Sequence, residues 1–259
     1  MNVMKLILSC SALVLSVFSI IIDKANAQGS AGSMAMFPRM NIVDMPSARV
    51  IPVGSYRAYG LIMQSSGIVS SFTFAPAKNI AFGMSYSMIP FLGEGNPEAQ
   101  PLPAFEVKAL LFQEKKKRPA IAVGLNLQGR GPWTNNRYQT LSPGAFISVS
   151  KNINWEAGIM SLHGGISYAI MPSPKKDYPI VYAGIEQSLY KNVTLSAEYI
   201  GTWNEDPTYM NQNGLMNMGI RYSPIKGMSI EIQARDLLQS RANANGFMRY
   251  AGIEYIGTF

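Results

Sequence analysis

From about residue 55 onward, apolar side chains alternate with small or polar ones in runs of eight to twelve residues, separated by Gly-, Pro-, Asn- or Lys-rich turn signals. In Val193, Leu195, Ala197 and Tyr199 one face is apolar, and Thr194, Ser196 and Glu198 make the other. Met228, Ile230, Ile232 and Ala234 likewise oppose Ser229, Glu231, Gln233 and Arg235. This period of two is that of β-strands. Twelve strands are predicted, near 55–64, 67–75, 79–88, 104–113, 119–128, 142–151, 157–170, 179–190, 193–203, 214–223, 227–236 and 247–257.

Alternation alone also fits a soluble sandwich. The connections separate the two. Those around 76–79, 115–118, 152–154, 191–192 and 224–227 are short, whereas 89–103, 129–141, 171–178, 204–213 and 237–246 are mostly longer. Short turns at one rim and long loops at the other are the habit of transmembrane barrels. A Greek-key sandwich has no reason to keep that order. The expected fold class is therefore all-β, a closed antiparallel up-and-down transmembrane β-barrel of about twelve strands. Aromatics near predicted strand ends (Tyr56, Phe74, Phe105, Tyr168, Tyr199, Trp203, Tyr222, Phe247, Tyr255) fit interfacial girdles, or simply the aromatic richness of strands.

The N-terminus follows another pattern. Lys5 precedes a nearly unbroken apolar run from Leu6 to Ile22, and Ala25, Asn26 and Ala27 close it with small residues at the two key positions. That is a secretory signal peptide cleaved after Ala27, with an uncleaved anchor helix or a lipoprotein site at Cys10 as the rivals. The expected organisation is 1–27 signal peptide, 28–54 a periplasmic or lumen-entering segment, and 55–259 the barrel. Cys10 is the sole cysteine, so the exported part has neither disulfides nor a thiolate metal site. Only 14% of residues are charged, below the roughly 25% of soluble domains. The net charge of +7 owes much to Lys115, Lys116, Lys117 and Arg118, read as a solvated turn near lipid headgroups rather than a nucleic-acid patch.

The chain ends Tyr255, Ile256, Gly257, Thr258, Phe259. A terminal Phe259 in step with Tyr255 resembles the signal by which the assembly machinery recognises outer-membrane barrels. Two further stretches carry a resemblance. Asp44 to Val50 with Gly54, Ser55 and Tyr56 is one; Pro119 to Leu125 with Gln128 to Gly131, and then Ala145 to Lys151, is the other. Both are similar to outer-membrane barrels associated with exopolysaccharide biosynthesis. The resemblance implies an outer-membrane location and a link to polysaccharide export, for which this chain would be a single-barrel relative.

In lipid the polar face of each strand must line the lumen. Lumen-lining candidates are Glu106, Lys108, Glu186, Glu198, Arg221, Glu231, Arg235 and Glu254, with Arg221 flanked by Glu198 and Glu231. They either edge a narrow polar pathway or pair and fill the interior. Arg130, Trp133, Arg137 and Tyr138, in a long loop, are candidates for contacting a ligand or glycan. His163 is the only histidine and shares its phase with Ser161. With no G-x-S-x-G elbow and no evident orienting partner, no enzyme activity and no cofactor or metal is expected. The expected partners are outer-membrane lipid, the barrel-assembly machinery and a polysaccharide or small polar solute. The function expected is a narrow pore. The alternatives are a non-conducting barrel presenting loops or docking a periplasmic partner, and a secreted binding sandwich.

Overall fold

The structure, a computed structural model, describes residues 37–259 apart from 92–95, 157, 171–176, 212 and 243–244. The expected signal peptide, its cleavage site and residues 28–36 lie outside the described residues. Twelve strands form the wall: β1 (Ser55–Met63), β2 (Gly67–Ala77), β3 (Ile80–Ile89), β4 (Ala104–Phe112), β5 (Ala120–Asn126), β6 (Gly144–Trp155), β7 (Gly158–Tyr168), β8 (Ile180–Leu189), β9 (Val193–Ile200), β10 (Leu215–Ile225), β11 (Met228–Arg235) and β12 (Met248–Thr258). Each pairs antiparallel with its sequence neighbours, and β1 pairs with β12 from Ser55 opposite Thr258 to Ile62 opposite Ala251. The sheet closes on itself, as the alternation and connection lengths predict.

The two faces invert the usual order of a soluble protein. Along β11, Ser229, Glu231, Gln233 and Arg235 are buried, while Ile230 and Ile232 point out, Ile232 at 67% exposure. Along β10, Asn217, Arg221 and Ser223 are buried between outward Met218, Ile220 and Tyr222. An apolar outer band around a polar interior is stable only in hydrocarbon, so this is a transmembrane barrel.

Five short turns share one rim. The basic run closes one of them, with Lys115 and Arg118 bridged across it and all four side chains exposed. Long connections gather at the other rim. One of them folds into a small hairpin, Arg130–Thr134 with Arg137–Thr140. The link between β1 and β2 is the exception at that rim, a single turn of 3-10 helix over Gln64–Ser66. On the outside near the short-turn rim, Tyr255, Tyr56, Phe72, Phe74 and Phe82 form a ladder with centroids about 6 Å apart. Phe105, Tyr168, Tyr199 and Phe247 stand exposed near the opposite rim. Trp203, half-buried just beyond β9, donates its indole N–H to the Pro179 carbonyl.

Candidate functional site

The lumen is occupied by the chain's own N-terminal segment. Residues 37–54 rise from the short-turn rim, reverse at 42–45 and return. Within this hairpin Ile42 N–H donates to the Met45 carbonyl at 2.8 Å and Ser47 N–H to that of Met40 at 2.9 Å. Pro46, with no N–H to give, faces Asn41 and offers its carbonyl to the Tyr182 hydroxyl at 2.9 Å. The tip, Ile42 and Met45, packs with Ile200, Met210 and Leu215 near the long-loop rim. The root packs Met40 and Ile51 on Ala75, Ala81 and Ile256 near the other. Gly184 in β8 makes room for the tip, since a Cβ there would lie 2.8 Å from Ile42 Cγ2 and 2.9 Å from the Ala197 carbonyl.

Charge ties the hairpin to the wall. Arg39 donates to Glu231 at 2.6 Å and lies 3.8 Å from Glu186. Asp44 takes Arg130 at 3.1 Å and Arg235 at 3.2 Å. Glu198 accepts the main-chain N–H groups of Val43, Asp44 and Met45 at 2.8–3.1 Å. Fully buried Lys108 donates to the Met40 carbonyl at 2.6 Å. Arg49 reaches Glu114 at 3.2 Å and Asn152 beside the short-turn rim. Hydroxyls complete the set: Ser150 accepts Ala48 N–H at 2.8 Å and Ser148 donates to the Ser47 carbonyl at 3.1 Å. Buried ions are tolerable only when partnered this way.

The candidate lumen residues fall as follows. Glu186, Glu198, Arg221, Glu231, Arg235, Glu254 and Lys108 are buried inward, and half-buried Glu106 lines a cavity with Arg57 and Arg130. Arg221 sits opposite Glu231 in register and pairs with Glu254, which also takes Arg57. The expectation that Glu198 also flanks Arg221 is corrected. Glu198 stands opposite Asn217, four residues along β10, and Thr194 is the residue across from Arg221. The interior is filled less by wall charges pairing among themselves than by a hairpin inserted between them. Arg39, Asp44 and Arg49 escaped the sequence reading because their segment has no period. Their spacing, one charge every five residues in an otherwise apolar stretch, was the available signal. Three cavities beside the hairpin measure about 30, 30 and 10 Å³, the larger two having space for one or two waters.

The expected loop patch is not an open surface. Arg130 is turned inward onto Asp44. Arg137 is fully buried, 2.7 Å from Glu205 and over the Tyr209 ring. Tyr138 donates to Gln100 at 2.7 Å, and Trp133 packs edge-on against it at 4.7 Å. Burial pushes the Tyr138 phenol up to about 12 and lifts the Glu205 carboxyl above its usual range against the pull of Arg137. These contacts fold the loop down rather than present it. Tyr255 and Phe259 do face out, and the Phe259 N–H is bound by the Gly54 carbonyl at 2.9 Å.

His163 has the orienting partner that its sequence context did not reveal. Its Nδ1 is 2.7 Å from Ser150 Oγ and its Nε2 3.4 Å from Glu186, while Ser161 bonds Asn152 instead. The order Ser–His–acid is that of a hydrolase triad. Yet the Ser150 oxygen is engaged by Ala48 N–H, and neither Ser150 nor His163 lines any of the three cavities. The trio links β6, β7 and β8, and through Ser150 it holds the hairpin. Among the described residues no cluster of His, Cys, Asp and Glu is placed to hold a metal ion.

The fold and lumen define a twelve-stranded transmembrane barrel with an internal N-terminal hairpin. No family model and no curated protein sequence matches the chain. Among solved structures it is similar to the KdgM porin, at 13% identity over 78% of this chain and 98% of that one, with a TM-score of 0.50. The NanC porin and Omp33 from Acinetobacter baumannii align at 9% identity over 79% of this chain and 99% and 97% of theirs, each with a TM-score of 0.44. The likeness to the KdgM porin is one of fold.

Proposed function

We propose that the protein is an outer-membrane pore for small polar solutes, closed while residues 37–54 fill the lumen and open when they withdraw. The observation that carries this reading is a polar lumen stopped by a segment entering from one rim only. Both strands of the hairpin leave by the short-turn rim, so withdrawal needs no strand of the wall to part. Location in the outer membrane is supported by the apolar outer band, the apolar N-terminal run with its Ala25, Asn26, Ala27 site and the exposed Phe259 at the strand end. That N-terminal run would direct export and be cleaved, and the last strand would be read by the assembly machinery.

The test is a cross-link. Ala48→Cys with Ser150→Cys would join hairpin to wall where Ala48 N and Ser150 Oγ are 2.8 Å apart. The oxidised protein in planar bilayers should be silent, and reduction should restore discrete conductance. Equal currents in both states would sink the reading. Persistent silence in both would favour a second reading, a non-conducting barrel, which the many wall-to-hairpin bonds support. A contribution to polysaccharide secretion rests on the resemblance of the lead-in and Gly-rich segments. It predicts less surface polysaccharide in a deletion strain and recovery with the intact gene.

A further inference from the structure

The hairpin is held as a bound ligand is held, and one residue of it shows what the wall recognises. Glu198 receives three converging N–H donors, from Val43 at 3.1 Å, Asp44 at 2.8 Å and Met45 at 3.1 Å. Three N–H donors on one carboxylate is the set that an ammonium group carries by itself. The Asp44 carboxylate lies between Arg130 and Arg235, one oxygen to each, at 3.1 and 3.2 Å. Asp44 thus places an N–H on the acid and a carboxylate on the bases, with only Cα and Cβ between its nitrogen and its carboxyl carbon.

We propose that Glu198, Arg130 and Arg235 form a binding site for a small amino-acid zwitterion, whose place Asp44 holds while the hairpin is in. The proposal rests on the pore reading, because the site is free only when the hairpin has left. The separation within Asp44 is that of a β-amino acid, and an α-amino acid is one bond shorter.

Two further observations point the same way. First, the three groups have supports of their own. The Arg235 guanidinium lies 4.6 Å from the Tyr250 ring centre and its Nε donates to Gln233 at 2.8 Å. Arg130 donates to the Gly129 carbonyl at 3.1 Å, and Asn217 donates to Glu198 at 2.9 Å. The site is thereby set before a ligand arrives, which lowers the cost of binding. Second, it has capacity that Asp44 does not use. Arg130 Nε and Arg235 Nη2 are buried and have no hydrogen-bond partner among the described residues. A carboxylate free of the chain can turn to take those donors, whereas one fixed to Asp44 cannot.

Charge selects the class. Once the hairpin leaves, a lone carboxylate would satisfy the arginines and abandon Glu198, and a lone amine would do the reverse. Either leaves one end of the site to water alone and so gains less than a solute that pairs with both ends. A zwitterion answers both ends. An acid and two bases that meet the two ends of one residue also discriminate against neutral sugars, which bring hydroxyls but no charge.

The experiment uses the full-length protein in planar bilayers, with β-alanine, propionate and propylamine added in turn to conducting channels. β-Alanine should interrupt the current at a concentration about tenfold or more below either singly charged analogue. Glu198→Gln and Arg235→Gln should each erase that preference, and because both residues also hold the hairpin, more frequent opening should accompany the loss. Equal potency of the three solutes would overturn the site and leave the pore reading standing. A protein that never conducts would overturn both. Heat-modifiable migration checks that each variant folds, and the solute series on the unaltered chain decides the matter even where a variant does not.

Discussion

Two arcs of the same wall face one hairpin and grip it by different means. From β8 round through β12 to β1, the inward positions carry Glu186, Glu198, Arg221, Glu231, Arg235, Glu254 and Arg57, and the hairpin meets them with the Arg39 and Asp44 side chains and, at Glu198, with three main-chain N–H groups. From β2 to β7 the wall offers mostly hydroxyls (Thr73, Ser87, Ser148, Ser150, Ser161), with Lys108 and Glu106 as the charges. There the hairpin is met mostly through its main chain, at Met40, Ser47 and Ala48, with the Arg49 side chain reaching Asn152. Space is shared between the two. A cavity of about 30 Å³ borders the hydroxyl side, lined by Ser71, Ser85, Asn126 and Gln128 among others, and a second of about 30 Å³ lies by Ile180, Ile200 and Leu215 under the charged side. The charged arc fixes where the hairpin sits, and the hydroxyl arc seats its backbone.

The comparison breaks first at Glu231. Replacing it with Ala leaves buried Arg39 to the longer 3.8 Å pairing with Glu186. A loss of about 3–5 kcal/mol is expected in urea unfolding from detergent micelles, the cost of an unpaired buried charge. An unchanged midpoint would show that charge does not position the hairpin. Gly184→Ala comes next. Its new Cβ collides with Ile42 and with backbone, so about 1–3 kcal/mol should be lost, and open events in bilayers should become more frequent. Ser150→Ala probes the other arc. It leaves Ala48 N–H without its acceptor, at about 1 kcal/mol, read by the same unfolding measurement. The smallest effect should come from Lys108→Met. Exchanging a buried ammonium for a thioether of similar length removes a desolvated charge along with its bond to Met40, and the net change should stay within about 1 kcal/mol. A Lys108→Met loss as large as that of Glu231→Ala would erase the distinction between the arcs.

The wall was legible because lipid outside and polar groups inside force a strict period of two on each strand, visible at Ser229, Glu231, Gln233 and Arg235. Register across strands was less so. Glu198 and Arg221 share a face, but a four-residue offset between β9 and β10 carries no mark in the sequence. The hairpin was open to two readings, since its course is dictated by Lys108, Ser150 and Glu198, which lie 68 to 155 residues away from their partners. The loop residues Arg137 and Tyr138 looked like surface for a related reason. Their burial depends on Glu205 and Gln100, contributed by two other loops. Local pattern reports the solvent that a strand meets, and says little about groups that meet only through the finished cylinder.

One junction ties these features to the order of assembly. Gly54 ends the hairpin, Ser55 opens the first strand, and Phe259 at the far end of the chain is fastened to the Gly54 carbonyl. The seam that shuts the cylinder is therefore stitched at the foot of the segment that fills it. Residues made first must wait for those made last. Arg39 finds Glu231 only across 192 positions of chain, after which seam and stopper can settle together. A nascent barrel still unzipped between β1 and β12 would have its first eighteen described residues hanging free, and zipping would seal and stopper the vessel in a single step.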